Sequence, residues 1–291
     1  MKTVEELEKL ANEIRQDVIK MLVHAKSGHS AGSLGTADIF TALYFAVLNI
    51  DSKNPQDENR DRFVLSAGHI NPVWYATLAH AGFIPHNELL TLRQLGSRLQ
   101  GHPDHLVLPG AETSSGSLGQ GLSQAAGIAL AGKLDGKAWR VYCLMSDGEQ
   151  QEGQTWEAAM FSGSRKLNNL TAIIDRNNIQ IDGHTEDVMP IEPLRKKYES
   201  FNWQVLEVDG HDIEAIIQAC DMSRTEDKKP TLIICKTIPG KGVDYMEYHY
   251  EWHGSPPGSI EPEGAPSKNK QAEEALRQLR TLGGRIDSGH Y

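Results

Sequence analysis

The sequence predicts an α/β fold, a mainly parallel sheet with helices on both faces. Short continuous apolar runs rich in Val, Ile and Leu recur along the chain, as strands buried on both faces require. They alternate with longer segments whose apolar residues recur at helical spacing, the order of βαβ units. The length of 291 residues is ample for such a fold with a sizeable core.

The elements follow in chain order. Val4, Leu7, Leu10, Ala11, Ile14, Val18, Met21 and Leu22 recur at helical spacing over residues 4–22, and Thr3 with Glu6 makes a capping box ahead of them. Residues 26–32 read as a small-residue loop, followed by an apolar helix over 37–48. Phe63-Val64-Leu65-Ser66 reads as a buried strand ended by Ala67-Gly68-His69, with a helix over 72–80 next. A polar loop region, 96–115, leads to Gly116-Ser117-Leu118-Gly119-Gln120-Gly121, which opens a helix of mainly Ala, Gly, Ile and Leu ending at Leu134. A strand over 141–145, a helix over 155–162 and a strand over 171–175 come next. Strands 205–208 and 231–235 then flank a helix near 212–223. From Glu251 the chain is Pro/Gly-rich before a charged helix from Lys268 to Leu282, and one domain is expected to take in all of 1–291.

Charge excludes some function classes. A net charge of −10 argues against a nucleic-acid or anionic-membrane surface, and the densest basic run, Arg195-Lys196-Lys197, reads as a solvated helix face. The N-terminus, acidic and polar over Met1 to Glu6, is not a secretion signal, and the apolar run Ile39 to Leu48 is too short to span a bilayer. Cys143, Cys220 and Cys235 are odd in number and widely spaced, which fits reduced core thiols better than disulfides or a metal site. A soluble cytoplasmic protein is the expectation.

The decisive pattern lies where two strands end. Strand 141–145 runs into Ser146-Asp147-Gly148, and strand 171–175 runs into Arg176-Asn177-Asn178. In a parallel sheet both segments lie at carboxyl ends of strands, where open α/β folds bind ligands. Asp147 and Asn177 are 30 residues apart, about one βαβ unit, so they can converge from neighbouring strands. A carboxylate and an amide carbonyl are hard oxygen donors suited to Mg²⁺, which completes its octahedron with water and phosphate oxygens. Gly148 permits close backbone approach, and the N–H groups that follow favour an anion. The constellation describes a Mg²⁺-bridged diphosphate; the plainer alternative is that Asp147 and Asn177 only cap turns or helices.

These residues resemble the thiamine-diphosphate-binding pattern, a Gly-Asp-Gly followed some way on by Asn-Asn. The longer stretch from Ser146 through Glu152, Trp156 and Glu157, and then Asn177 to Gly183, resembles transketolase, over nearly the whole chain but only the N-terminal part of a full-length enzyme. Ser146 stands where the family pattern has its first glycine, and Ser117 stands where the family's Gly-Pro-Leu-Gly-Gln-Gly has proline.

The resemblance implies the thiamine-diphosphate-binding fold of the diphosphate domain, with thiamine diphosphate and Mg²⁺ as cofactors. It implies Asp147, Asn177 and Ile179 as metal ligands and Gly148 beside the diphosphate. His69 and His102 would contact the diphosphate, His102 also lying near the donor sugar. His29 would face the sugar hydroxyls, and His253, in Trp252-His253-Gly254, would lie near diphosphate and substrate. Taken singly, a histidine after a loop glycine is more often solvated than catalytic, but imidazoles can bind phosphate when cationic and shuttle protons when neutral. The other eight histidines have no comparable setting.

Gly116 and Leu118 would line the aminopyrimidine and thiazolium; tight helix–sheet packing explains the same glycines and is compatible. Glu149 and Glu152 read first as acids favouring a helix N-terminus. The position matching Glu152 lies at the subunit interface in transketolases, which keeps it as a cofactor-site candidate. Trp156 and Glu157 read as structural.

The reaction implied is transfer of a two-carbon ketol unit from a ketose phosphate to an aldose. In transketolases the activating glutamate and much of the sugar-phosphate pocket lie in the following domain. A separately encoded C-terminal transketolase subunit, in an α₂β₂ assembly, is therefore the expected partner. The alternatives are a 2-oxo-acid dehydrogenase α-chain, a deoxyxylulose-phosphate-synthase-like enzyme and a non-catalytic cofactor-binding subunit. Ser27-Gly28-His29 and Gly101-His102-Pro103 argue against the first, and the retained histidines against the last.

Overall fold

The computed structural model describes residues 2–280. The chain opens with α1 (Val4–Ala25), whose Thr3/Glu6 capping box forms and whose end turns at Lys26 in the left-handed region. The segment expected to be a loop, 26–32, ends in the first two residues of a short buried helix, α2 (Ala31–Gly35). Its two glycines carry weak helical signals, and burial rather than propensity fixes it. Helix α3 (Ala37–Ala42) continues into a π-helical turn, Leu43–Val47.

Strand β1 (Arg62–Leu65) is followed by a 3-10 turn at Gly68–Ile70 and by α4 (Asn71–His80). A second 3-10 turn, His86–Thr91, lies in the connection leading to α5 (Gly121–Leu134). Then come β2 (Val141–Ser146), α6 (Gly153–Ser164) and β3 (Leu170–Arg176). A small antiparallel pair, β4 (Ile179–Gln180) and β5 (Gly183–His184), leads through α7 (Thr185–Val188) and α8 (Leu194–Ser200) to β6 (Gln204–Asp209). Helix α9 (Ile213–Thr225), β7 (Thr231–Lys236) and α10 (Lys268–Arg280) complete the described chain. The last two positions of the helix expected to reach residue 282, and His290, lie outside the described residues.

The five main strands form one parallel sheet in the order β1-β2-β3-β7-β6. Alternate strand residues feed two cores. Leu65, Leu144, Ile173 and Ile233 pack with α1, α3, α4 and α9, whereas Val64, Cys143, Ile174 and Ile234 pack with α5, α6 and α8. The β2–β3 crossover therefore lies on one face and the β6–β7 crossover on the other, so the order in which strands are laid down along the parallel sheet reverses between β3 and β7. That reversal opens a crevice at the carboxyl ends of the strands. The three cysteines are free and buried. No helix among the described residues is long and apolar enough to cross a membrane.

Candidate active site

The carboxyl ends of β2, β3 and β7 meet at two buried acids. Asp147 follows β2 directly, and its backbone N–H donates to the Asp175 carbonyl on β3 at 3.1 Å. One oxygen of its carboxylate accepts from the Asn178 N–H at 2.6 Å and from Arg176 at 2.8 Å; the other accepts from the Gly148 N–H at 2.7 Å. The 30-residue spacing does bring the two segments together, through Asn178 rather than through a direct bond between Asp147 and Asn177. Burial pushes the Asp147 carboxyl up, while Arg176, Asn178 and Gly148 pull it down.

Asn177 is held from two sides. Its side-chain N–H donates to Asp175 at 2.7 Å, and its amide oxygen accepts from the Ile179 N–H at 2.9 Å. Asp175 also accepts from Thr237 at the end of β7, and burial, Asp147 adding to it, pushes its carboxyl up to about 7 against the Thr237 and Asn177 bonds. Ile179 is buried at the start of β4, and Gln180 lies over Gly148, its oxygen 3.3 Å from where a Cβ would stand.

The imidazoles form a second cluster. Ring centroids of His29 and His69 are 5.1 Å apart, those of His29 and His253 5.6 Å, and those of His69 and His253 5.2 Å. His102 packs on Gly116, its ring carbon 3.1 Å from the position of an added Cβ. Gly116 has φ +138, so a side chain there is disfavoured by backbone and neighbour alike.

Burial, then the His253, Arg93 and His102 charges, drives His29 down to about 3, and burial drives His253 down to about 4. His69 is pushed well down and His102 is lowered, burial leading in both. At neutral pH the cluster is therefore uncharged, suited to exchanging hydrogen bonds and protons.

The two clusters share one end of the sheet. Gly32, on the helix after His29, leaves room for only a hydrogen: a Cβ would meet Ile70 at 2.8 Å and stand 4.0 Å from Asp175. The Gly240 N–H donates to the Ala31 carbonyl at 2.9 Å, tying that helix to the segment after β7. Tyr250, close before His253, packs on His184 of β5 with centroids 6.0 Å apart.

Glu149 and Arg93, like Asp175, escaped sequence reasoning. Glu149 is fully buried instead of serving a helix dipole: it accepts from the Gly119 N–H at 2.6 Å, the Ser146 N–H at 3.2 Å and the Ser66 hydroxyl. One carboxyl thus braces the ends of β1 and β2 and the glycine loop, with burial pushing it up to about 6. Arg93 reaches Ser27 at 2.6 Å and the Gly101 carbonyl at 3.4 Å, joining the loops that carry His29 and His102. Neither signal was visible, because an acid after a strand and an arginine in a loop are ordinary. Leu118 is half-buried in the glycine loop, and Glu152 is exposed, its Cβ stem against Gly119 at 2.6 Å from an added Cβ. Trp156, read as structural, donates to the Gln150 carbonyl at 2.9 Å.

Polar atoms left over at the site suit a polar ligand. His29 Nδ1, His253 Nδ1, Ser115 Oγ and Gln180 Oε1 are buried with no hydrogen-bond partner. Each such group costs about 1–3 kcal/mol unless something pairs with it. Next to Ser115, an added Cβ on Gly68 would stand 2.8 Å from the Gly116 nitrogen, so the cradle is closed to side chains. Carboxylate and amide oxygens on one rim, uncharged imidazoles on the other and small residues between them fit a diphosphate with a hard cation.

Comparison with known proteins bears on the diphosphate part of that chemistry. Residues 7–270 match the family model described as transketolase, thiamine diphosphate binding domain. The chain is 42% identical over 276 residues to an apulose-4-phosphate transketolase subunit of Phocaeicola vulgatus, covering 95% of this chain and 94% of that one. It is 42% identical over 242 residues to the 6-deoxy-6-sulfo-D-fructose transketolase subunit SqwG of a Clostridium species, covering 83% and 88%. The solved transketolase of Campylobacter jejuni superposes with a TM-score of 0.87 at 34% identity, over 98% of this chain but only 43% of that one.

Proposed function

The chain belongs to the transketolase family, in its thiamine diphosphate binding domain, and we propose that it is the cofactor-holding subunit of a two-chain transketolase. The observation that carries the reading is the junction of Asp147, Asp175 and Asn178 beneath a cluster of uncharged imidazoles. The relatives named transketolase favour it over the 2-oxo-acid dehydrogenase and deoxyxylulose-phosphate alternatives.

In this proposal Asp147, Asn177 and the Ile179 carbonyl hold Mg²⁺ through oxygen, and Gly148 lets the diphosphate approach the backbone. His69 and His102 donate to the diphosphate, and Gly116 and Leu118 line the ring end of the cradle. Thiamine diphosphate, when bound, supplies the nucleophile and electron sink for two-carbon transfer. His29 and His253, uncharged at rest, hold the sugar hydroxyls and move protons among them. Glu149 and Arg93 fix the loops that present these groups.

The partner is a C-terminal transketolase subunit, supported by relatives whose names call them subunits, and the assembly is α₂β₂. Glu152, exposed in the single chain, then lies where a second copy packs. Donor and acceptor are a ketose phosphate and an aldose, and the buried free thiols fit a cytoplasmic setting.

Calorimetry on Asp147→Ala tests the metal assignment. The variant should fold yet lose Mg²⁺-dependent thiamine diphosphate binding. Binding unchanged from wild type would overturn the role given to Asp147.

A further inference from the structure

A second histidine cluster lies outside the candidate active site. We propose that Asp17, His80 and His86 form a Zn²⁺ site that pins α1 to the segment following α4. The Nε2 atoms of His80 and His86 lie 2.9 and 2.8 Å from the same carboxylate oxygen of Asp17. The three donor atoms all fall within 4.8 Å of one another, and the rings stand edge-on with centroids 5.3 Å apart. Both imidazoles thus aim the same nitrogen at one point, from different elements: Asp17 on α1, His80 at the last residue of α4 and His86 at the first residue of the next turn.

Two imidazoles and one carboxylate are a donor set that open zinc sites use, with water in the fourth position. Mg²⁺ and Ca²⁺ prefer oxygen throughout, so the two nitrogens select a borderline transition metal. With bonds of about 2.0–2.1 Å, ligand atoms around tetrahedral zinc stand about 3.3 Å apart, so each imidazole nitrogen backs away from the Asp17 oxygen by ~0.5 Å to admit the ion. His86 can supply that movement, since its side chain is 57% exposed and its outer side offers water a way in.

Lys20 is the competing cation: its ammonium lies 3.1 Å from the other Asp17 oxygen and, half-exposed, is free to stay there or turn outward. The chain beyond His86 leads to Arg93, so the pinned segment is the one that joins the His29 and His102 loops. The site stands on residues that the two-chain transketolase reading does not use.

The test is Zn²⁺ titrated by calorimetry into the full chain after chelator treatment, with Mg²⁺ saturating so that Asp147 and Asn177 do not compete. Co²⁺ serves as the absorbing probe of a four-coordinate site. The wild-type chain should take up one Zn²⁺ that raises its melting temperature. His86→Ala should weaken that uptake by at least ~100-fold, since removing even an outer partner of a metal site costs up to that much. His80→Gln should behave alike, and His253→Ala should leave uptake unchanged. No saturable uptake by wild type, equal uptake by His86→Ala, or loss in His253→Ala with retention in His86→Ala would each overturn the assignment.

Discussion

Replacing Asp175 with Asn should stabilise the chain above neutral pH and change it far less in acid. Asp175 is 1% exposed, between the Asn177 amide at 2.7 Å and the Thr237 hydroxyl, and burial pushes its carboxyl up to about 7. In the unfolded chain the same group titrates near 3.9. Over that window the folded state binds more protons, so stability falls as pH rises and the full penalty is in place above about 7. A gap of about 3 pH units at ~1.36 kcal/mol each sets a ceiling of ~4 kcal/mol. Asn keeps the shape without the charge: its oxygen can accept from Asn177 and its N–H₂ can donate to Thr237. Urea unfolding of both proteins with chelator present, at pH 5 and pH 8, reads the difference. The gap in favour of Asp175→Asn should widen by ~2–3 kcal/mol from the lower to the higher pH. A variant less stable by the same amount at both pH values would refute the reasoning, because Asp175 would then be ionised and held by its donors.

Glu149→Ala strands the Gly119 and Ser146 N–H groups and the Ser66 hydroxyl. It should cost ~2–4 kcal/mol in urea unfolding, a loss under ~1 kcal/mol meaning that the loops are braced otherwise. In the assembled enzyme His102→Ala should weaken both thiamine diphosphate affinity and turnover by ~10–100-fold, the loss of one contact to a charged group. His29→Ala should chiefly lower turnover or raise the sugar KM. Equal, large losses of cofactor affinity in both would reverse the two roles.

Much of the frame was legible because burial on both faces leaves a plain mark. Val141 to Met145, Thr171 to Asp175 and Thr231 to Cys235 read as strands, and they form the centre of the sheet with two cores alternating along them. The Asp147 and Asn177 spacing was legible for the same reason, since adjacent parallel strands bring their ends together. Helix α2 was not, because five residues with Gly32 and Gly35 among them carry a helical propensity too weak to read, and only tertiary contacts override it. The β4–β5 pair has two residues in each strand, too short for any periodicity. Glu149 and Asp175 were missed as braces because what makes them act is the absence of water around them, and a sequence does not display burial of a single acid. The histidine cluster was suggested by glycine-histidine loops, but its uncharged state follows from burial, which a sequence does not display.

The central claim is that this chain holds the diphosphate side of a thiamine diphosphate site that a second chain completes. The most direct measurement is a coupled assay of a ketose phosphate donor with an aldose acceptor, run in thiamine diphosphate and Mg²⁺ on each purified chain and on their mixture. Neither chain alone should transfer the ketol unit, because in the proposed two-chain enzyme the carboxyl group that activates the cofactor comes from the partner. The mixture should transfer it at a rate that depends on the concentration of both chains. Full ketol transfer by this chain by itself would contradict the account.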